Sequence, residues 1–193
     1  MSSSAKGLIM CGVGGQGVVL ASNIFTEVLM DSGYDVKKTE QHGMSQRNGP
    51  VNAQIKFGEK VYAPVVGKGN ADVILAFEKA ETLRWLEYLK PDGCAVINNL
   101  EIDSVDVQLG TLKYPENLSE RIAAVVPDTV IVDAAEVAAG FGTVRAQSML
   151  LLGIVIKHFG LEHLEWEKKI AESVPAKYQK ANIEAFRYGL SLK

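Results

Sequence analysis

Six residues near the start of the chain, Gly12-Val13-Gly14-Gly15-Gln16-Gly17, have the types and spacing to hold a phosphate. Glycines let the main chain turn sharply, bring N–H groups close to an anion and let a strand and a helix pack tightly. A pyrophosphate in such a turn also meets the partial positive end of the helix that follows. Gln16 adds a side-chain amide at the turn. The plainer reading is a glycine-rich connection between two packed elements. The flanks favour the cradle, because the apolar residues 7–11 lead into it and an amphipathic run leads out.

A second group of chemically capable residues lies in Glu40-Gln41-His42-Gly43-Met44-Ser45-Gln46-Arg47-Asn48-Gly49-Pro50. His42, Gln46 and Arg47, with Gly43 and Gly49, can grip a phosphate, a carboxylate or a facing subunit. Composition supports a solvated connection equally well. Glu40 sits where a dinucleotide-binding domain carries its ribose-binding acid. However, the chain then enters this loop and a hairpin instead of another helix, so the second half of a dinucleotide site is missing.

The elements that must position these residues follow from hydrophobic periodicity. Residues 18–31 place Ala21, Ile24, Phe25, Val28 and Leu29 on one apolar stripe, and Gly33 supplies a C-cap. Residues 34–39 read as a second strand. Residues 51–57 and 61–63, around Gly58-Glu59, read as a hairpin. Strands at 71–77 and 94–98 flank a helix at 78–89, with a turn at Pro91-Asp92-Gly93; another strand at 129–132 and a short helix at 134–139 follow. Helices at 143–159, 161–173 and 176–190 complete the chain. The first of these is apolar around most of its circumference, so either the core or a partner subunit must cover it. This pattern specifies an α/β fold: a Rossmann-like, mostly parallel sheet with a β-hairpin insertion and a helical C-terminal region, residues 1–193 forming a single domain.

Composition narrows the function. With 47% hydrophobic and 22% charged residues and a net charge of −3, the chain carries no basic block for nucleic acid or an anionic membrane. No apolar stretch spans a bilayer, and the first six residues lack a signal-peptide core, which points to the cytoplasm. Cys11 and Cys94 each lie in an apolar run and read as buried free thiols; two cysteines do not hold an iron–sulfur cluster. His158 and His163 are too isolated to form a metal site with His42, and helix-end hydrogen bonding suits His158. Trp85 and Trp166 read as packing residues. No catalytic residue and no metal ligand is assigned.

The run GVGGQGVVLAS at 12–22, the loop EQHGMSQRNGPV at 40–51 and VYAPVVGKGNADVILAFEKAETLR at 61–84 together resemble the gamma-type subunit of 2-oxoacid:ferredoxin oxidoreductases. Within that family, the GMSQR form and the chain length are most similar to the beta-subunit type of the indolepyruvate enzymes. The resemblance continues through Asn98, LLLGIV and NIEAFRYG at 182–189, and so covers essentially the whole chain.

The resemblance implies one subunit of a larger, hetero-oligomeric enzyme that oxidatively decarboxylates a 2-oxoacid with coenzyme A, giving acyl-CoA, carbon dioxide and reduced ferredoxin. It implies thiamine diphosphate and iron–sulfur clusters on a partner subunit, leaving this chain inactive alone. Asp92-Gly93 and Asn98-Asn99 lie too close together to be the two ends of a thiamine diphosphate motif. By the same resemblance, Gly12, Gly14, Gly15 and Gly17 receive the pyrophosphate of coenzyme A, with Gln16, His42, Gln46, Arg47 and Gly49 around it. Asn48 stands between Arg47 and Gly49 where the family commonly has glycine; asparagine tolerates left-handed backbone, so the turn survives. Gamma subunits of pyruvate, 2-oxoglutarate or branched-chain enzymes are the nearest alternative. A stand-alone NAD-dependent reductase and a purely structural interaction subunit are the others. An uncovered apolar helix would also favour a homodimer of the isolated chain.

Overall fold

The computed structural model describes residues 5–43 and 49–192, without the side chains of Val105 and Asp106. Strand β1 (Lys6–Val13) leads through the glycine turn into α1 (Val18–Asp31), followed by β2 (Asp35–His42), β3 (Pro50–Gly58) and β4 (Ala71–Ala76). Next come α2 (Lys79–Trp85), β5 (Leu89–Asn98), α3 (Val105–Gln108), α4 (Leu118–Val125), β6 (Thr129–Val132) and α5 (Ala134–Gly140). The C-terminal region is α6 (Gln147–Phe159), α7 (Trp166–Ser173) and α8 (Ala176–Ser191).

The strands form one sheet in the order β2-β3-β1-β4-β5-β6. β1, β4, β5 and β6 are parallel, while β3 is antiparallel to both of its neighbours. Hence β2 points the same way as β1, and β3 alone is reversed. The expected α/β class and helical C-terminal region are present, and so is a hairpin, formed by β2 and β3. The hairpin is made by different strands from those expected: β3 pairs along its length with β1 and β2, and residues 61–63 form no strand. Gln54 of β3 explains part of this. Its buried Oε1 accepts the Val66 N–H at 2.8 Å, which holds the segment after β3 against the sheet as a covering loop.

Alternation along β1 sends Leu8 and Met10 to one face and Ile9 and Cys11 to the other, so both faces need a cover. On the first face, α1, α5, α6, α7 and α8 enclose Val73, Leu75, Cys94 and Val96. On the second, Leu118 and Ile122 of α4, with Val66, close over Ile74, Ala76, Ala95 and Ile97. Both cysteines are buried, on opposite faces of the sheet, and neither is in a disulfide. Trp166 also packs: it stacks on Phe25 with ring centroids 5.8 Å apart, and its Nε1 donates to the Leu161 oxygen at 2.7 Å.

The apolar helix is α6, and this chain covers it. Residues 148–156 are buried, and α6 crosses α8 with their backbones in contact. A Cβ at Gly153 would stand 2.4 Å from the Phe186 oxygen, and one at Gly189 only 2.0 Å from the Leu150 oxygen. The ground for expecting a homodimer through α6 is therefore gone. Gly160 ends this helix in the left-handed conformation, φ 68°. Residues 91–93, expected as a turn, instead lie within β5 where its register against β4 shifts.

Candidate functional site

The glycine turn emerges where β1 ends, and each glycine there has a different duty. Gly12 is buried; a Cβ on it would lie 2.6 Å from the Gln16 Oε1 and 2.7 Å from the Phe77 Cβ, so only hydrogen fits. Gly15 and Gly17 adopt φ of 94° and 92°, which side-chain-bearing residues rarely take up. Above Gly15 the space is open, while a Cβ on Gly17 would lie 3.0 Å from Ser148 of α6. Gly17 is also the N-cap of α1. No side chain caps that helix, and its first turn holds no acidic residue, so its leading N–H groups face an anion-ready opening.

Gln16 braces the turn from inside. Its Oε1 accepts the Val13 N–H at 2.6 Å and its Nε2 donates to the Phe77 oxygen at 2.9 Å, with the residue buried. Gly14 donates its N–H to the Gly49 oxygen at 3.0 Å, which fastens the end of the 40–50 loop to the turn. Gly14 and Gly49 therefore shape the wall, and the donors left for an anion are those of the turn's outer edge and of α1.

Two openings flank the turn. One, about 270 Å³, is lined by Val13, Gly14, Gly15, Gly17, Val18 and Val51. The other, about 480 Å³, lies between Gly15, Gly17 and Leu20 on one side and Arg145, Gln147 and Ser148 on the other. Arg145 belongs to a short 3-10 turn, Val144–Ala146, that leads into α6 and is capped by the Thr143 hydroxyl. An exposed guanidinium, two helix N-termini and a glycine turn thus share one opening. Sequence reasoning missed Arg145 and Ser148. The available signal was an arginine ahead of a helix N-terminus, where the dipole disfavours a cation unless an anion accompanies it.

A third cleft, about 320 Å³, has Val13 and Pro50 at its edge but a different lining: Glu78, Glu81, Arg84 and Tyr114. Glu78 caps α2 by accepting the Glu81 N–H at 3.0 Å, and Tyr114 donates its hydroxyl to the same carboxylate. Burial pushes the Glu81 carboxyl up; Arg84 opposes that and the Glu78 charge adds to it. Burial, reinforced by Glu81 and Glu78, also pushes the nearby Cys11 thiol up, which keeps it a neutral core residue. Buried carboxylates make this a poor place for a phosphate.

Glu40 is committed elsewhere. Its carboxylate accepts from Ser22 at 3.0 Å and from Lys38 at 2.7 Å. Burial would raise this group, but Lys38, Ser22 and His42 hold it below its ordinary value. Because β3 lies between β2 and β1, β2 sits two strand spacings, about 10 Å, from β1. A dinucleotide fold needs that acid on the adjacent strand. His42 is exposed at the end of β2, its Nε2 3.6 Å from the Glu40 Oε2. Gln46, Arg47 and Asn48 lie outside the described residues.

A fold with this strand order and this glycine turn can be compared with known proteins. Residues 7–192 match the model of the pyruvate ferredoxin/flavodoxin oxidoreductase family. The chain belongs to that family. It is 37% identical over 189 residues to the indolepyruvate oxidoreductase subunit IorB of Thermococcus kodakarensis, covering 95% of this chain and 93% of that one. The pyruvate oxidoreductase subunit PORC of Thermotoga maritima shares the fold with a TM-score of 0.72 at 21% identity, covering 97% and 96% of the two chains. A 2-oxoglutarate:ferredoxin oxidoreductase from Magnetococcus marinus, solved with 2-oxoglutarate, coenzyme A and succinyl-CoA, gives a TM-score of 0.77 at 18% identity. That match covers 98% of this chain and 31% of the longer one. No helix among the described residues is long and apolar enough to cross a membrane.

Proposed function

We propose that this chain, read as a single domain, is the gamma-type subunit of a 2-oxoacid:ferredoxin oxidoreductase acting on an arylpyruvate such as indolepyruvate. In this reading it presents coenzyme A to a partner subunit during oxidative decarboxylation to acyl-CoA, carbon dioxide and reduced ferredoxin. The aryl preference follows the indolepyruvate oxidoreductase relative, 37% identical, against 21% for the pyruvate subunit. A pyruvate, 2-oxoglutarate or branched-chain substrate is the second reading.

The observation that carries the coenzyme A assignment is the opening shared by Gly15, Gly17, Arg145 and Ser148 at two helix N-termini. Coenzyme A supplies the thiol that accepts the acyl group. The chain's own residues bind and orient it: the outer N–H groups of the turn and of α1 take the pyrophosphate, and Arg145 adds a charge-assisted contact from α6. Gln46 and Arg47, with His42 and Gly49, are proposed as further ligands on the chemistry of their side chains and main chain.

The residues present do not fit the other cofactors of the family. Cys11 and Cys94 lie on opposite faces of the sheet, so they cannot share one iron–sulfur cluster. Asp92-Gly93 and Asn98 occupy one strand, and the Asn98 amide is held by the Phe77 oxygen and the Ala134 N–H. In this reading the partner holds thiamine diphosphate and the clusters, and ferredoxin meets the assembled enzyme. Buried thiols outside any disulfide and a ferredoxin acceptor suit the cytoplasm.

Calorimetric titration of the full chain, alone and with its co-expressed partner, with coenzyme A and NAD in parallel tests the reading. Binding of coenzyme A and not NAD is expected. NAD binding, or no coenzyme A binding even in the assembled complex, overturns it.

A further inference from the structure

Three residues with metal-ligating side chains converge at the end of the sheet opposite the glycine turn. Cys94 lies in β5 opposite Val73, which in turn pairs with Leu8 near the start of β1. Asp128 immediately precedes β6, and its carbonyl accepts the Ala95 N–H at 2.9 Å, which fixes residue 128 beside the neighbour of Cys94. His158 is the penultimate residue of α6, the helix that covers the Cys94 face of the sheet. A ligand atom from each of the three lies within 4.8 Å of both others, and the His158 Nδ1 stands 3.7 Å from the Asp128 Oδ2. Among the described residues these form a group of sulfur, nitrogen and oxygen donors with fitting separations.

We infer that Cys94, Asp128 and His158 form a binding site for a zinc-like divalent transition metal ion. The donor set is chemically coherent. A thiolate, a carboxylate and a neutral imidazole carry two negative charges together, which a divalent ion neutralises. Nitrogen and oxygen ligands about 2.0–2.2 Å from an ion in a tetrahedral site stand about 3.3–3.6 Å apart, and the His158–Asp128 pair, at 3.7 Å, lies just outside that spacing. Rotation of the two partly exposed side chains closes the rest, while Cys94 stays fixed in its strand. The partial exposure of Asp128, 43% of its side chain, leaves solvent room for a fourth ligand.

The surroundings favour a cation as well. His158 sits in the last turn of α6, where the helix ends in its partial negative charge. Binding displaces the Cys94 thiol proton to solvent, and the ion takes the proton's place on sulfur. The competing account is that the same residues form only an ion pair and hydrogen-bonded cluster beside a neutral thiol. The two accounts differ in whether sulfur binds metal. The site would tie β5, the approach to β6 and the end of α6 together, a structural duty independent of coenzyme A.

Cobalt(II) is the probe, because a cobalt–thiolate bond produces a charge-transfer band in the near ultraviolet and a tetrahedral site produces strong visible bands. Titrating the full, chelator-treated chain should give one equivalent of cobalt with both features, displaced by zinc. Cys94→Ala should abolish the charge-transfer band and Cys11→Ala should keep it. Asp128→Asn and His158→Gln should weaken cobalt binding at least tenfold, with circular dichroism confirming that each variant is folded. Failure to take up an equivalent, uptake without a thiolate band, or a band surviving Cys94→Ala would each overturn the assignment. None of these readouts depends on coenzyme A binding, so the two proposals fail separately.

Discussion

The side-chain amides of Gln16 and Asn98 donate to one acceptor, the main-chain oxygen of Phe77, at 2.9 and 3.1 Å. Gln16 comes from the glycine turn and Asn98 from the end of β5, while Phe77 follows the last residue of β4. Asn98 also donates to Gln147 at 3.2 Å at the start of α6. The turn, two strand ends and the helix carrying Ser148 are thereby held in one frame. A carbonyl oxygen has two lone pairs, so one atom can serve both amides.

Replacing Gln16 with methionine keeps the side chain's length and removes both bonds, leaving the Val13 N–H buried without its acceptor. An orphaned buried donor costs about 1–3 kcal/mol. Urea denaturation of Gln16→Met should show a lower midpoint at an unchanged slope, and coenzyme A affinity should fall with it. An unchanged midpoint would mean that the turn keeps its shape without this brace.

Arg145→Ala should weaken coenzyme A binding by about tenfold, the loss of one charge-assisted contact of about 1.4 kcal/mol. Arg145 is exposed, so the melting temperature should not move. Arg145→Lys should recover only part of the affinity, because an ammonium lacks the planar fork. Raised salt should narrow the difference between wild type and Arg145→Ala. Equal affinities in titration calorimetry would make Arg145 a bystander and leave the anion to the main chain alone.

Acid should loosen the opposite end of the sheet through Asp72. Its carboxylate accepts the Gly7 N–H at 2.8 Å and ammonium groups from Lys90 at 2.7 Å and Lys6 at 3.1 Å. Burial would raise this group, but Lys90, Gly7 and Lys6 outweigh it and hold the carboxyl below its ordinary value. A carboxyl depressed in the folded state contributes stability that is complete above the unfolded pKa, about 4, and is lost as pH falls through the folded value. Asp72→Asn should therefore lower stability by about 2 kcal/mol at neutral pH and flatten the acid limb of the stability curve. Parallel curves for the two proteins below pH 5 would assign that limb to other carboxylates.

Where local rules and tertiary structure agreed, the sequence was readable. The strand–turn–helix at Gly12 to Gly17 and the left-handed glycine after α1, Gly33 at φ 89°, depend on neighbours in the chain, so periodicity and glycine placement sufficed. The partner of β3 was less accessible. Residues 51–57 look the same as a strand whether they pair with residues 61–63 or with β1 and β2, because pairing is decided across the sheet. Arg145 and Ser148 were hidden for a similar reason: well over a hundred residues separate them from Gly17, and only packing brings them to the turn. Cys94, Asp128 and His158 are likewise too far apart in the chain for spacing to suggest a common ligand.

The contact between α6 and α8 connects stability to the site. A Cβ at Gly189 would meet the Leu150 oxygen at 2.0 Å and its carbonyl carbon at 2.9 Å, and both are backbone atoms that cannot swing aside. Gly189→Ala must therefore push the helices apart, and overpacking of this kind costs about 3 kcal/mol or more. In a chain of this size that corresponds to a fall of roughly 10 °C in melting temperature. Leu150 lies two residues beyond Ser148, so displacement of α6 should also widen the opening beside Gly17 and weaken coenzyme A binding. Gly140→Ala is the control, since its Cβ would meet nothing within 4 Å and the residue ends α5. It should be neutral or slightly stabilising. Gly153→Ala collides with the Phe186 oxygen at 2.4 Å across the same interface. Once one substitution has separated the helices the second meets less resistance, so the double variant should lose less than the sum of the two single losses. Full additivity in thermal denaturation would show that the helices yield locally at each glycine instead of moving as rigid bodies.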